Sequence, residues 1–232
     1  MKFIIFFIYI PLVRSELHTL NTTYTGVNGQ RFAGTPEFSS VTTLDSQQID
    51  DYDTVTKKLI PKQDWMKEFA STETWKEYTE IRERVQQINK LNIPDLMQRF
   101  SPPRGDHTYQ RVYGCVWDDE TGHIYGFDEY SYDGQDFITL DLKENRYTAS
   151  VPQAEATVMK WNEDRKQLDF LKQYYRYECV DWLEELVHFS KASLKKTGTV
   201  PESTEQSLTE PAVIDTKRDG KLRTGSFFSL YI

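Results

Sequence analysis

The feature that most constrains the fold is the placement of the only two cysteines, Cys115 and Cys179, on segments with different periodicities. Cys115 lies in an alternating run, residues 109–117, in which every second side chain is large, as in a half-buried strand. Cys179 belongs to an apolar series from 158 to 189 with steps of three, four and seven residues, which predicts one stripe along a long helix. Two cysteines behind a secretory leader favour one disulfide, which would pin this helix across a sheet.

The segment between the two cysteines contains a predicted β-hairpin. Residues 126–142 predict a strand, a turn at Asp133-Gly134 and a second strand. A disulfide across so long a loop contributes on the order of 4 kcal/mol in the chain-entropy model.

Composition narrows the class of protein. The 232 residues carry a net charge of −8 with an isoelectric point near 5.1, which suits one domain of moderate size. An acidic balance argues against nucleic acid as a partner, because phosphate binding needs a basic face. Aromatic residues make up 14% of the chain, and they either fill a core or line a groove.

The amino terminus predicts entry into the secretory pathway. Residues 1–15 contain one lysine, an apolar block and a small residue at Ser15, as in a cleaved signal peptide. No other segment reaches the roughly 20 apolar residues of a membrane helix, so we expect a secreted, extracellular chain without a membrane span. A cell-surface form would need a longer isoform or a partner. The sequon at Asn21 permits a glycan but does not require one.

The first half, residues 16–104, predicts four strands followed by a helix. The strands are expected at 18–27, 38–44, 48–53 and around Leu59-Ile60, with a hairpin signal at Asn28-Gly29. From 72 to 100 apolar residues recur every three or four positions, which predicts a helix with Thr72 as its N-cap. Pro94 is expected to kink or locally break this helix, because its ring removes a hydrogen bond.

The second half, residues 105–197, repeats four strands and a helix, which is a weak internal duplication. Because each helix has one apolar stripe, both must cover the same face of one eight-stranded antiparallel sheet, an α+β fold. Residues 198–232 change character: Pro, Ser, Thr, Glu and Lys dominate without an amphipathic period, so we expect disorder there.

Catalysis finds little support in the sequence. The four histidines are scattered without zinc-ligand spacing, so no metal or other cofactor is predicted. Neither a GxSxG elbow nor a phosphate-binding glycine loop occurs. The pair Asp118-Asp119 lies beside a turn, where adjacent carboxylates are more often simply solvated. We therefore expect a protein that is not an enzyme.

A family resemblance rests on four motifs in order: HTYQRVYGCVWDDETG, GFDEYSYDGQDFITLDL, PQAEATVMKW and YECVDWL. They resemble the alpha-2 domain of a major histocompatibility complex class I heavy chain, in the form found in bony fishes. The resemblance spans roughly 16–196 and is most specific over 107–195. It implies an antigen-recognition platform with a groove between two helices.

At one end of that groove, the resemblance implies a site for the carboxylate of a bound peptide. Arg99, Thr157, Lys160 and Trp161 match the family positions, and two cations, a hydroxyl and an indole N–H suit a terminal carboxylate. The alternatives are a solvated helix face for the two cations and core packing for Trp161. Phe137 replaces a tyrosine that relatives usually keep.

The other end, which holds the peptide amino group in relatives, matches poorly. Thr22, Thr74 and Leu186 stand where the family has tyrosines, and only Tyr174 is kept. On the floor we expect upward-facing side chains, with a possible cross-strand pair between Arg111 and Asp128. The floor residues are Leu20, Tyr24, Tyr109, Arg111, Tyr113, Asp128 and Tyr130.

The resemblance also implies partners. They are a peptide or other small antigen, lymphocyte receptors, and beta-2-microglobulin. Beta-2-microglobulin is expected to bind weakly or not at all, since no immunoglobulin-like domain follows the second helix in this sequence. Two alternatives remain: a groove-closed soluble receptor ligand or decoy, and a truncated isoform from an alternative or incomplete transcript.

Overall fold

The computed structural model describes residues 16–28, 37–71, 73–99 and 105–197. The predicted signal peptide, Gly29 of the predicted turn, the Thr72 cap and the tail from 198 lie outside these ranges. Across the described residues the chain forms one eight-stranded antiparallel sheet with helices on one face, which confirms the predicted α+β architecture.

Each half of the chain supplies four neighbouring strands. The strands are β1 (Leu17–Asn28), β2 (Phe38–Leu44), β3 (Gln47–Asp53), β4 (Leu59–Pro61), β5 (His107–Asp118), β6 (Ile124–Tyr132), β7 (Gln135–Asp141) and β8 (Arg146–Ala149). Their order in the sheet is β4-β3-β2-β1-β5-β6-β7-β8, so β1 and β5 pair at the centre and join the two halves.

Alternating burial shows which face the helices cover. Along β2 every second side chain is buried, beginning at Phe38 and ending at Leu44. On β1 the buried positions are the even-numbered ones from His18 to Gly26. This period of two is the pattern of a sheet with one covered face.

The two halves share the same hydrogen-bonding arrangement at the ends of their central strands. His18 Nδ1 lies 2.7 Å from Asp45 Oδ2, and the amide of Thr19 donates to Asp45 Oδ1 at 2.7 Å. His107 Nδ1 and the Thr108 amide contact the two carboxylate oxygens of Asp133 in the same way, each at 2.8 Å. Both aspartates have positive φ in hairpin turns, so these hydrogen bonds link each turn to the neighbouring central strand.

The helices cover the sheet in two runs. They are α1 (Asp64–Phe69), α2 (Glu73–Arg99), a 3₁₀ turn (Pro152–Ala154), α3 (Glu155–Glu163), α4 (Arg165–Gln173), a π-helical segment (Tyr174–Glu178) and α5 (Cys179–Thr197). The helix α2 continues through Pro94 to Arg99, so Pro94 does not break it, and a kink there stays a prediction.

The expectation of one long second helix is also wrong, because two features interrupt it. The side chain of Asp164 accepts a hydrogen bond of 3.0 Å from the Gln167 amide and caps the start of α4. The π-helical segment then shifts the register before α5. The apolar stripe survives these interruptions, since Trp161, Leu168 and Leu171 are all buried.

The predicted disulfide is confirmed. Cys115 on β5 and Cys179 at the start of α5 are bonded with a Cα–Cα distance of 6.1 Å across a sequence separation of 64 residues. Both cysteines are buried. Nearby, Gly126 on β6 allows close helix packing, because a Cβ there would lie 2.5 Å from the Tyr175 Cβ. Within the described residues, no helix is long and apolar enough to cross a membrane.

Candidate ligand groove

The centre of the floor is a hydrogen-bonded cluster that reaches up to α2. The hydroxyls of Tyr24 and Tyr113 lie 3.0 Å apart on neighbouring strands. Arg82, buried on α2, donates to the Tyr24 hydroxyl and to Thr42 Oγ1, both at 3.0 Å. Our sequence analysis missed Arg82, although a signal existed: it lies three residues before the buried Val85, on the same helix face.

A carboxylate is buried beside this cluster. Asp50 on β3 is 1% exposed, and the positive charge of Arg82 partly compensates its carboxylate. Burial raises the pKa of Asp50, while Arg82 and a hydrogen bond from Thr42 lower it by less. The net effect is a carboxyl group that takes up a proton more readily than it does in water.

A charged pair occupies the floor under the second half. Arg111 Nε and Nη2 donate to the two oxygens of Asp128 at 2.7 Å each, as the sequence predicts. The Asp128 side chain is fully buried and that of Arg111 is 14% exposed. Burial alone would lower the pKa of Arg111, but the Asp128 carboxylate raises it well above its usual range. The guanidinium also lies over the rings of Tyr113 and Tyr130, at 4.7 and 5.3 Å.

Phenols surround this pair. Burial raises the pKa of Tyr109, Tyr130 and Tyr175 well above the usual range, so all three stay protonated at physiological pH. The Tyr175 hydroxyl is buried and meets no hydrogen-bond partner in the described part of the chain. The floor therefore presents neutral polar groups, with its charges paired internally.

The predicted carboxylate end brings two of its four residues into direct contact. Arg99 Nη1 donates to Thr157 Oγ1 at 2.5 Å, which joins the end of α2 to the first turn of α3. Lys160 follows one turn later on α3 and is exposed. Trp161 is 3% exposed, and its ring packs against Tyr147 and Tyr130 with centroids 4.8 and 5.2 Å away. The ring is therefore packed in the core, and a hydrogen bond from its indole N–H to a ligand stays a prediction.

The opposite end is filled by aromatic rings. Phe69 on α1 contacts Trp75 of α2, and Trp182 and Phe189 of α5, with ring centroids 6.5, 6.4 and 5.9 Å away. We call these four residues the aromatic plug. Leu186 is buried beside the plug, next to a space of only about 10 Å³.

Two other positions matched to the amino end, Thr22 and Tyr174, contact residues outside the aromatic plug. Thr22 Oγ1 lies 3.3 Å from Thr42 Oγ1 under the helices. Tyr174 begins the π-helical segment and stacks on Phe170 with centroids 6.4 Å apart. The side chain of Thr74 is outside the described part of the structure.

Two further groups lie outside the groove. Asn21 is half-buried in β1 on the face away from the helices, and its Oδ1 is buried without a partner in the described ranges. A position inside the central strand disfavours a glycan, whose attachment to Asn21 stays a prediction. Glu16, His18 and Asp119 cluster at one end of the sheet. However, Lys191 Nζ lies 2.9 Å from Glu16 Oε2 and 3.3 Å from His18 Nε2, where it would repel a metal ion.

Comparison with known proteins matches residues 16–194 to the family model of the class I histocompatibility antigen, domains alpha 1 and 2. The chain is 33% identical over 179 residues to the class I histocompatibility antigen F10 alpha chain of Gallus gallus, covering 77% of this chain and 51% of that protein. It is 33% identical over 178 residues to the major histocompatibility complex class I-related protein 1 of Mus musculus, covering 77% and 52%.

A more distant similarity extends further along the chain. The zinc-alpha-2-glycoprotein of Bos taurus is 27% identical over 213 residues, which covers 91% of this chain and 68% of that protein. The chain spans about half the length of the first two relatives.

Proposed function

The chain belongs to the class I histocompatibility antigen family, and we propose that its alpha 1 and alpha 2 platform displays a peptide or another small antigen to lymphocyte receptors in the immune response. Such a role places the protein in the secretory pathway and outside the cell. No catalytic role is part of the proposal, because the floor residues are paired with one another rather than arranged around a reacting atom.

The observation that carries the proposal is the difference between the two ends of the groove. One end has Arg99, Thr157 and the exposed Lys160 on neighbouring helix ends. The other end is occupied by the aromatic plug and Leu186. A ligand with one free carboxylate therefore fits the first end, where charge-assisted hydrogen bonds are available. A ligand amino group meets no matching acceptors among the plug residues.

We predict that a bound peptide is anchored by its carboxyl end alone. Hydrogen bonds to charged groups contribute about 1.5–3 kcal/mol each, so replacing the free acid by an amide should weaken binding about tenfold or more. Acetylation of the amino terminus should change the affinity little. The measurement is a competition among acid, amide and acetylated versions of one peptide eluted from chain made in animal cells.

A matched pair of variants tests which residues cause the preference for a free carboxylate. Changing Arg99 and Lys160 together to alanine should abolish the preference for the acid. Changing Arg165 and Lys166, two exposed cations at the start of α4, should leave the preference in place. Equal affinity for acid and amide in the unchanged protein would contradict carboxylate anchoring.

The second candidate function is a groove-closed soluble ligand or decoy for a receptor, with only the outer helix surface recognised. The aromatic plug favours it, because the plug links α1 and α2 to α5 across one groove end. Mass spectrometry of small molecules released by acid separates the two functions. A reproducible set of released ligands supports display, and their absence from correctly folded protein supports the closed form.

A further inference from the structure

A cavity of about 720 Å³ lies on the flank of the second half, outside the groove. Its walls are the start of β6, the end of β7 and the segment where α4 passes into the π helix. We call it the flank cleft. Its volume falls within the roughly 300–1,000 Å³ typical of small-molecule sites.

The flank cleft exists because the sheet splits between β6 and β7. In the described structure these strands pair only from Glu129↔Thr139 to Tyr132↔Gln135. Yet β6 stays paired with β5 back to Ile124, and β7 stays paired with β8 as far as Asp141. Antiparallel strands direct the backbone groups of alternate residues to each side, so part of the β6 backbone faces the gap. Backbone donors and acceptors are thus available inside it.

The lining of the flank cleft combines polar side chains with five apolar or aromatic ones, Ile124, Tyr125, Leu140, Leu142 and Tyr175. Leu140 and Tyr175 are buried, Leu142 is half-buried, and Ile124 is 43% exposed. Gly126 contributes no side chain, and a Cβ there would lie 2.8 Å from Leu142 Cδ1. These walls suit the hydrocarbon part of a ligand.

The rim is basic, although the whole chain has a net charge of −8. Lys143, Lys172 and Arg176 all line the cleft, and within the described residues none of them forms an ion pair. The carboxylate in the lining, Asp141, accepts hydrogen bonds from the amides of Lys143 and Glu144 at 3.0 and 2.9 Å. The rim therefore attracts negative charge.

The geometry points to a binding site for a small amphipathic organic anion, with its charged group at the Lys143, Lys172 and Arg176 rim and its apolar body between β6 and β7. A medium-chain carboxylate is the simplest member of this class. The three cations favour a negatively charged headgroup, and the volume of about 720 Å³ limits the size of the apolar body.

The first test is calorimetric titration of the full chain with sodium octanoate. We expect saturable binding of one octanoate per chain. Octylamine, with the same apolar body and the opposite charge, should bind about tenfold more weakly or not at all. The affinity for octanoate should also fall as salt is added, since the rim charges are exposed. Equal binding of octanoate and octylamine, or no binding of octanoate, would overturn the proposal.

Charge-reversal variants then place the ligand. Lys172→Glu combined with Arg176→Glu should weaken octanoate binding about tenfold or more. Arg165→Glu combined with Lys166→Glu changes the net charge equally on the same helix but does not touch the cleft, so it should have little effect. Arg99→Ala combined with Lys160→Ala removes the two groove-end cations that could hold a carboxylate, so octanoate bound in the flank cleft should still bind to this variant. Loss of binding in that variant would assign octanoate to the groove and refute a flank site.

Discussion

At the scale of single residues, the groove floor depends on how each buried charge is compensated. Arg111 and Asp128 form two hydrogen bonds of 2.7 Å with Asp128 fully buried. Removing one partner of a buried pair leaves an uncompensated charge, which is more destabilising than replacing both. This pair is therefore the most sensitive polar contact in the floor.

We predict that Asp128→Asn lowers the free energy of unfolding by about 3–5 kcal/mol, because it leaves the Arg111 guanidinium without its counter-charge. The double change Arg111→Met with Asp128→Leu should cost much less, since both charges leave together. Urea unfolding followed by tryptophan fluorescence measures both variants. A double variant as unstable as Asp128→Asn would show that the loss comes from packing rather than from charge.

A pH-dependent prediction concerns Asp50, whose pKa is raised by burial. A carboxyl with a raised folded-state pKa contributes stability below the unfolded value near 4, and this contribution is lost as pH rises through the folded pKa. Asn mimics the protonated form, so Asp50→Asn should gain stability relative to the unchanged protein as pH increases above about 4.

Urea unfolding at a series of pH values from 4 to 7 tests this. Asp64→Asn is the control, because the hydrogen bond from Lys67 lowers the pKa of that exposed carboxyl. Its contribution to stability is therefore nearly complete at pH 4, and the stability difference for this variant should stay almost constant up to pH 7. A stability difference for Asp50→Asn that stays constant or falls with rising pH would contradict the assignment.

Sequence reasoning succeeded for residues whose neighbours follow from strand pairing and failed for those placed by tertiary contacts. The Arg111 and Asp128 pair follows from alternation on adjacent strands. Arg82 was missed because a charged residue on a helix is normally solvated, and only the packing of α2 on the floor buries it. The packing of the Trp161 ring on Tyr130 and Tyr147 likewise depends on tertiary contacts that the sequence pattern does not show.

At the scale of elements, the side chain of Asn162 on α3 forms two hydrogen bonds with the backbone of the edge strand β8. Asn162 Oδ1 accepts from the Tyr147 amide at 2.7 Å, and its Nδ2 donates to the Tyr147 carbonyl at 3.0 Å. The amide group therefore pairs with the edge strand as a neighbouring strand would, which satisfies two backbone groups of a buried residue. This contact fixes the helix that bears Thr157 and Lys160.

We predict that Asn162→Ala lowers the free energy of unfolding by about 2 kcal/mol, because two hydrogen bonds are lost and the Tyr147 backbone is left unpaired. Glu163→Ala, at an exposed neighbouring position, should change stability by less than about 0.5 kcal/mol. Hydrogen exchange at the Tyr147 amide reports the contact directly. Unchanged exchange in Asn162→Ala would show that the contact does not hold α3.

The strands were easier to predict than the second helical run. Hairpin turns and period-two burial identify strands locally, and β2 was predicted with its observed bounds. The interruptions at Asp164 and at Tyr174–Glu178 do not disturb the apolar periodicity, because the apolar stripe continues across both. They depend on how the helices curve over the sheet.

At the scale of the whole molecule, we predict that these 232 residues alone bind beta-2-microglobulin weakly or not at all. The family resemblance implies that the light chain contacts both an immunoglobulin-like domain and the underside of the sheet. Contact with the underside of the sheet alone would contribute little binding free energy beyond what is needed to offset the entropy lost when two proteins associate. A stoichiometric complex that survives gel filtration at micromolar concentration would overturn this prediction. A relative's heavy chain with its immunoglobulin-like domain is the positive control.

The pairing of the two central strands relates the two ends of the groove to each other by symmetry. His18 and His107 occupy equivalent places in the two halves. When the two halves are aligned on these histidines, Val112 is the equivalent of Thr23. Thr23 and Val112 also face each other directly between β1 and β5, so a local twofold axis passes through this pair. That is the geometry of a symmetric homodimer whose two subunits have been joined into one chain. The axis exchanges the two ends of the groove, so the fold alone would make them alike. Their contrast, cations at one end and aromatic rings at the other, is sequence divergence acting on a symmetric frame.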